Sequence, residues 1–283
     1  MPLAQISPSN AAVGLTRGAP GADRGEPARY YPTGRRHYVR IAPNDIVQGG
    51  ALAVAMRERG CRRIAALTDG EVYGAGVGRW VRRRARQLGL RIVMSRRINP
   101  RAPHYRSLAT RVRRRRPHCV VFTGITANNA VQLFEDLARR LPRAKLFGSD
   151  GIAESGFSDP REGGISPRVG RRVFASVYTL APSALPPSGR QVLRRYRSRY
   201  GERFPDPYAV YGYEAMSLAL DAIASGGADR AAVIRQLFSV RDRDSPLGRY
   251  SIDRYGDTTL RTYGIYRVRR GSLSWADAVQ APD

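Results

Sequence analysis

The chain has 283 residues, and a hydrophobic fraction of 42% is enough apolar material to argue against a disordered protein. Its length suits two lobes or one large domain. No uninterrupted apolar run reaches the roughly 18 residues that a membrane-spanning helix needs, and no signal peptide is visible at the start. Taken literally, the sequence predicts a soluble cytoplasmic protein.

A formal net charge of +26 is the strongest compositional feature, and all but one of the cationic residues are arginine, Lys145 being the exception. No acidic residue occurs between Glu71 and Glu135, a stretch that holds arginine runs at 82–84 and 113–116. A codon preference for arginine on solvated faces explains this pattern, and binding of nucleic acid or anionic lipid is the alternative. Because no nucleic-acid-binding motif accompanies the arginines, we predict no specific nucleic-acid partner.

The two cysteines, Cys61 and Cys119, are too few and too far apart for a zinc module or a disulfide framework. Each lies at the start of a predicted strand, so both are interpreted as small buried residues. Gly74-Ala75-Gly76 lacks the third glycine of a nucleotide fingerprint, and the three histidines fall in no metal-spaced or triad-like motif. We therefore predict no enzyme, no cofactor and no bound metal.

Alternating strands and helices are predicted from residue 63 onward. The strands cover residues 63–67, 90–94, 119–122 and 145–148. After the first strand, a loop over 69–76 leads into a helix with Trp80 and Leu88 on its apolar side. Further helices carry Tyr105 to Val112 and residues 127–141. This order predicts an α/β fold with a parallel sheet covered by helices on both faces.

The second half begins with a loop over 149–171 that is rich in glycine, proline and serine. A strand at 172–180, three helices and a tail of β-hairpins at 248–275 follow. The helices are predicted at 189–200, 208–224 and 229–240, the middle one apolar enough to be buried. Before them, residues 38–41 read as extended, and residues 1–45 are too few to form a second lobe alone.

Three polar segments follow predicted parallel strands, at 6–10, 69–76 and 148–151. The carboxyl ends of such strands are where open α/β sheets bind ligands. Hydroxyls and backbone N–H groups suit a carboxylate, and the Asp150 carboxylate suits an ammonium group. Together they predict a site for a zwitterion.

Five phrases of the sequence resemble the leucine/isoleucine/valine-binding proteins, which are type I periplasmic binding proteins of branched-chain amino-acid ABC transporters. The phrases are Ile6-Ser7-Pro8-Ser9-Asn10 with Gly14-Leu15-Thr16, Tyr38 to Asp45 with Gln48-Gly49, Asp69-Gly70 with Tyr73-Gly74-Ala75-Gly76, Gly148-Ser149-Asp150-Gly151, and Gly248-Arg249-Tyr250-Ser251 with Asp253, Gly256 and Asp257. Their order and spacing are similar to the family's along the whole chain.

The resemblance implies a type I periplasmic-binding fold of two Rossmann-like lobes with three hinge crossings, the first lobe incomplete at the N-terminus. Residues 1–45 and 182–260 would form that partial first lobe, and residues 46–181 and 261–283 the second. It implies a monomer that captures an amino acid or similar small polar solute between the lobes for an ABC permease in the membrane. It also implies an extracytoplasmic home, in the periplasm or as a cell-surface lipoprotein, with the signal peptide missing here.

Carried over by position, Ser9 and Ala11 would hold the amino acid's carboxylate and ammonium from the first lobe. Tyr73 and Asp150 would reach the ligand from the second lobe, Asp150 pairing with the ammonium, and Tyr213 would form part of the side-chain wall. Each also has a plain structural interpretation: a helix cap for Ser9, turns for Tyr73 and Asp150, and helix packing for Tyr213.

Two positions depart from the family. Ala11 stands where threonine is frequent, and Ile125 stands where well-known members have tyrosine, so leucine-type specificity is in doubt. Two other functions stay open, a ligand-sensing domain of a regulator or receptor and an inactive truncated remnant.

Overall fold

The computed structural model describes residues 2–201 and 208–282. Its strands are β1 (Gln5–Ser7), β2 (Tyr38–Arg40), β3 (Arg63–Thr68), β4 (Arg91–Arg97), β5 (Cys119–Thr123), β6 (Lys145–Gly148), β7 (Val173–Val177), β8 (Thr262–Arg269) and β9 (Ser272–Gln280). Its helices are α1 (Asp45–Glu58), α2 (Val72–Gln87), α3 (Arg106–Arg114), α4 (Ala130–Arg140), α5 (Ser155–Ser158), α6 (Pro167–Gly170), α7 (Pro187–Tyr200), α8 (Tyr208–Gly226) and α9 (Arg230–Phe238).

The chain divides into two units. Unit 1 comprises Met1–Asn44 and Thr179–Arg261, and unit 2 comprises Asp45–Tyr178 and Thr262–Asp283. Unit 2 contains a seven-stranded sheet in the order β4-β3-β5-β6-β7-β8-β9. The first five strands in this order pair in parallel. β8 pairs antiparallel with β7, and β9 pairs antiparallel with β8. Every residue of β5 and β7 is buried, which is typical of strands covered on both faces. The predicted α/β class with a parallel sheet is confirmed.

Helix α1 is an element that the sequence did not predict. It is buried along almost its whole length, with apolar residues on every side, so it lacks the amphipathic period that marks a surface helix. A Cβ added at Gly49 would lie 2.5 Å from Trp80 Cβ and 2.8 Å from the Val81 nitrogen. The absence of a side chain at Gly49 therefore permits the close contact between α1 and α2.

Helix α2 begins at Val72, so the predicted loop over 69–76 was wrong in its second half. Its glycines are packing positions. A Cβ at Gly74 would lie 2.1 Å from Asp69 Oδ1, and one at Gly76 would lie 2.6 Å from Asp45 Oδ2. Glycine at these positions lets the first turn of the helix lie against two carboxylates. The sequence pattern had suggested a loop for this segment.

Cys61 and Cys119 form a disulfide in unit 2. Both are buried, as predicted, but their bond was not predicted. β3 and β5 are neighbours in the sheet, with Ile64 opposite Cys119, so the two cysteines lie close although 58 residues separate them in sequence. Sequence separation does not reveal which parallel strands are adjacent, and that is why the pairing was missed.

Unit 1 contains a parallel pair, β1 and β2, together with α7, α8 and α9. The prediction that α8 is buried was wrong for one of its sides, where large apolar residues are exposed. These are Tyr213, Met216, Leu220 and Ile223. The predicted tail of hairpins is also corrected: unit 1 holds isolated bridges such as Arg243–Tyr250, and the described hairpin is β8–β9 in unit 2.

Candidate functional site

The candidate site of unit 2 lies where β3 and β6 end. β3 ends at Thr68 and leads through Asp69 into α2, while β6 ends at Gly148 and leads into Ser149 and Asp150. The two strands flank β5 in the sheet, and all three are parallel, so their carboxyl ends lie at one edge. That edge is the position where open α/β sheets bind ligands.

Three polar side chains meet there. The Tyr73 hydroxyl, in the first turn of α2, donates to Asp150 Oδ1. Gln48 Nε2 donates to the same oxygen at 2.6 Å, and Gln48 Oε1 lies 3.2 Å from the Tyr73 hydroxyl. Gln48 is fully buried, whereas Tyr73 and Asp150 are partly exposed. The structure thus brings two predicted site residues, Tyr73 and Asp150, into contact with a third that the sequence did not single out.

Burial sets the protonation of this cluster. It raises the pKa of the Asp150 carboxyl above its ordinary value, although hydrogen bonds from Tyr73 and Gln48 act in the opposite direction. Burial and the neighbouring Asp150 carboxylate raise the pKa of the Tyr73 hydroxyl well above its ordinary value. The raised pKa of the Tyr73 hydroxyl keeps it a neutral donor, and a charge on the Asp150 carboxylate is expensive to keep without a cationic partner.

Asp69 fixes the loops on which these side chains stand. It is fully buried, and its Oδ2 accepts hydrogen bonds from the Ile125 nitrogen at 3.2 Å and from Asn128 Nδ2 at 2.9 Å. Thr123 Oγ1 donates to the Gly74 carbonyl at 2.8 Å. These contacts join the β5 loop to the start of α2 and so position Tyr73. Ile125, one of the two departures from the family pattern, is 40% exposed.

Two other predicted residues lie on the loop after β1 in unit 1. Ser9 is exposed and Ala11 is half-buried. The Ser7 hydroxyl, and not that of Ser9, accepts the nearby backbone N–H groups, from Ser9 at 3.3 Å and from Asn10 at 2.9 Å. The 3₁₀ turn that follows is capped by Ala12 with no side-chain hydrogen bond, so Ser9 is not its cap.

A buried ion pair holds this loop, and sequence reasoning gave it no role. Arg40 Nη1 donates to the Asn10 carbonyl at 3.1 Å and to the Ala12 carbonyl at 2.8 Å. Arg40 Nε donates to Asp257 Oδ1 at 2.7 Å, with both side chains almost fully buried. The signal available in the sequence was a lone arginine inside the otherwise apolar segment around β2.

Tyr213 lies on the exposed side of α8, with 48% of its surface accessible. Within residues 2–201 and 208–282 no group of three histidine, cysteine, aspartate or glutamate side chains could hold a metal ion. In the same described part of the chain, every helix is too short or too polar to cross a membrane.

Polar side chains held at the carboxyl ends of parallel strands are typical of small-molecule sites in α/β proteins. Residues 27–272 match the family described as periplasmic binding protein, and the chain belongs to that family. The family consists of binding proteins, which confirms the prediction that the chain is not an enzyme.

A curated relative from Brucella suis, called Leu/Ile/Val-binding protein homolog 1, is 22% identical over 212 residues, covering 74% of this chain and 54% of the relative. The crystal structure of a leucine binding protein from Thermotoga maritima covers 98% of this chain and 73% of its own, with 20% identity and a TM-score of 0.79. A solute binding protein of an ABC transporter from Rhodopseudomonas palustris, in complex with p-hydroxybenzoic acid, matches at 14% identity, 99% and 73% coverage and a TM-score of 0.75.

These likenesses confirm the resemblance to the leucine/isoleucine/valine-binding proteins and the type I periplasmic-binding fold. The chain spans about half the length of the curated relatives it matches. The solved structures share their fold with this chain. The ligands bound in them are properties of those proteins.

Proposed function

We propose that the protein captures an amino acid, or a closely related small zwitterion, as the solute-binding component of an ABC transporter. The single observation that carries this proposal is the Gln48–Tyr73–Asp150 cluster at the carboxyl ends of β3 and β6. A carboxylate held by two neutral donors in partly buried surroundings favours a cationic partner. An ammonium group supplies both the charge and the hydrogen-bond donors.

Within unit 1, the proposed ligand residues are Ser9 and Ala11, for an amino acid's carboxylate and ammonium, and Tyr213, for its side chain. Ala11 has no hydroxyl to offer, and Ile125 offers an apolar surface where a tyrosine would offer a phenol. Both differences argue against carrying leucine-type specificity over to this chain.

The extracytoplasmic location is also part of the proposal. Disulfides form and persist in oxidising compartments and are rare in the cytoplasm, so the Cys61–Cys119 bond supports it. A membrane permease would then receive the solute. The similar protein from Rhodopseudomonas palustris is a solute binding protein of an ABC transporter, which supports this part of the proposal.

Replacement of Asp150 by asparagine tests the ammonium contact. Hydrogen bonds to charged groups contribute about 1.5–3 kcal/mol, so Asp150→Asn should weaken the binding of an amino acid roughly ten-fold or more. Isothermal titration calorimetry of the wild-type protein against the amino acids and p-hydroxybenzoate first identifies the ligand, and the variant is then titrated with it.

Glu58→Gln is the matched control, because it removes one negative charge from an exposed side chain in the last turn of α1. Its affinity should equal that of the wild type. Equal affinity in Asp150→Asn would remove Asp150 from the site. Binding of p-hydroxybenzoate with no amino acid binding would replace the zwitterion by an aromatic acid.

A further inference from the structure

Gln48 has an unusual place for a polar side chain. It lies one turn into α1, is fully buried, and uses both ends of its amide. Its Nε2 reaches Asp150 Oδ1 at 2.6 Å and the Ser176 carbonyl of β7 at 3.5 Å, while its Oε1 lies 3.2 Å from the Tyr73 hydroxyl. One side chain thus links α1 to α2, to β7 and to the loop after β6.

We propose that Gln48 is a positioning residue that orients the Asp150 carboxylate for the ligand. This inference rests on the proposed function. Gln48 and Tyr73 both donate to Oδ1 of Asp150, so neither of them occupies Oδ2. The pair fixes the rotation of the carboxylate, which also interacts with the backbone N–H groups of Asp150 and Gly151, and so presents it to the ligand's ammonium.

The amide is better suited to this role than any other buried side chain of its size. A methionine or leucine would fill the space but would leave the Asp150 carboxylate with one donor fewer. A glutamate would put a second carboxylate beside Asp150, and two such groups share a proton. The amide orientation follows from the same contacts, because the flipped amide would set Oε1 against a carboxylate oxygen.

The position of α1 gives Gln48 its rigidity. α1 is packed closely on α2, since a Cβ at Gly49 would already collide with Trp80, so the helix that carries Gln48 cannot move closer to α2. Tyr73 on α2 and Asp45 in the first turn of α1 are the other titratable groups that influence the cluster. A change at position 48 should therefore act on Asp150 directly and not through a movement of helices.

Gln48→Met tests the inference by two readouts. Loss of a donor to the charged form should raise the pKa of the Asp150 carboxyl, measured by the carbon-13 shift of its carboxyl carbon during a pH titration without ligand. Affinity for the identified amino acid should fall roughly ten-fold or more. Fluorescence of Trp80 and Trp275 shows whether unit 2 is folded.

Gln132→Met is the matched control, because Gln132 Nε2 donates to a carboxylate oxygen of Asp136 at 3.1 Å, away from the site on α4. It should leave both readouts unchanged. If Gln48→Met fails to fold, Gln48→Glu keeps the side-chain volume. Its affinity should fall and become strongly dependent on pH, because the added carboxylate competes with Asp150 for a proton.

The outcomes separate this inference from the proposed function. An unchanged Asp150 titration or an unchanged affinity in Gln48→Met, or a Gln48→Glu variant that binds like the wild type at every pH, overturns the positioning role. If the wild type binds no solute of the panel while Gln48→Met shifts the titration, the proposed function fails and the orientation of Asp150 by Gln48 stands.

Discussion

Asp257 is a residue of unit 1 on which several polar side chains converge. Its Oδ1 accepts from Thr16 Oγ1 at 2.8 Å and Arg40 Nε at 2.7 Å, and its Oδ2 accepts from Arg17 Nε at 2.6 Å and Asn44 Nδ2 at 2.9 Å. The nearby arginines and these hydrogen bonds hold the pKa of the Asp257 carboxyl below its ordinary value, despite a burial that acts to raise it. Because Arg40 in turn holds the loop with Ser9 and Ala11, this buried pair positions part of the candidate site.

Asp257→Asn should destabilise unit 1 by about 3–5 kcal/mol, because it leaves the buried Arg40 charge without its partner. Since the folded-state pKa is depressed, the contribution of Asp257 is present above the unfolded-state pKa and is lost as the pH falls through the folded-state value. Hydrogen exchange of unit 1 peptides, measured from neutral to acid pH, reads both effects. Asp244→Asn removes an exposed partner of Arg249 and should change exchange little, and equal protection in the two variants would contradict the argument.

At the scale of the elements, the contact between α1 and α2 decides the geometry of unit 2. α1 carries Gln48 and α2 carries Tyr73, so the distance between these helices sets the distance between the two site residues. Gly49 lies in this contact, where the atoms that a new methyl group would meet include backbone. Backbone cannot rotate away as a flexible side chain can, so a substitution there must move a helix.

Gly49→Ala should therefore lower the stability of unit 2 by roughly 1–3 kcal/mol, even though alanine favours helix more than glycine does. Both tryptophans of the chain, Trp80 and Trp275, lie in unit 2, so tryptophan fluorescence during urea unfolding reports this unit. Gly156→Ala in α5 is the control, because an added Cβ there meets no atom within 4 Å. Equal midpoints for the two variants would show that the helices can move apart freely.

The elements that the sequence predicted well are those with a clear hydrophobic signal. β6 was predicted with its observed bounds, and α3 presents Leu108, Ala109 and Val112 inward as its periodicity indicates. α1 was missed because a helix buried on every side has no polar face to give it a period. The glycines of α2 suggested a loop because sequence cannot distinguish a glycine needed for a turn from one needed for close packing.

The residues of the candidate site also fall into those that the sequence pointed to and those that it did not. Tyr73 and Asp150 were predicted because their segments follow parallel strands and resemble the family's phrases. Gln48, Arg40 and Asp257 were quoted in those phrases but received no role, because their partners lie far away in the sequence. Asp257, for example, bonds to residues more than 200 positions earlier. Such pairs become visible only once the fold has brought them together.

At the scale of the whole molecule, the two units differ in how completely their apolar surface is covered. Unit 2 has a seven-stranded sheet and a disulfide, whereas the sheet of unit 1 within the described residues has two strands. A cavity of about 450 Å³ opens beside β1 and is lined by Leu3, Ile6 and residues of α8 and α9. Each 400 Å² of apolar surface left in water loses hydrophobic stabilisation on the order of 10 kcal/mol, which is comparable to the whole free energy of unfolding of a domain.

Limited digestion with trypsin should therefore cut unit 1 before unit 2. Both units have exposed arginines at which trypsin can cut: unit 1 at residues 194–199 on α7, and unit 2 at residues 111–116 on α3 and just after it. The order of cleavage therefore reports local unfolding and not the number of available cleavage sites. Mass spectrometry of timed samples should find cuts on α7 while α3 is intact, and the fluorescence of Trp80 should persist until α3 is cut. Cleavage of both helices at the same rate, or resistance of the whole chain as one cooperative unit, would mean that unit 1 is as stable as unit 2 despite its exposed apolar face.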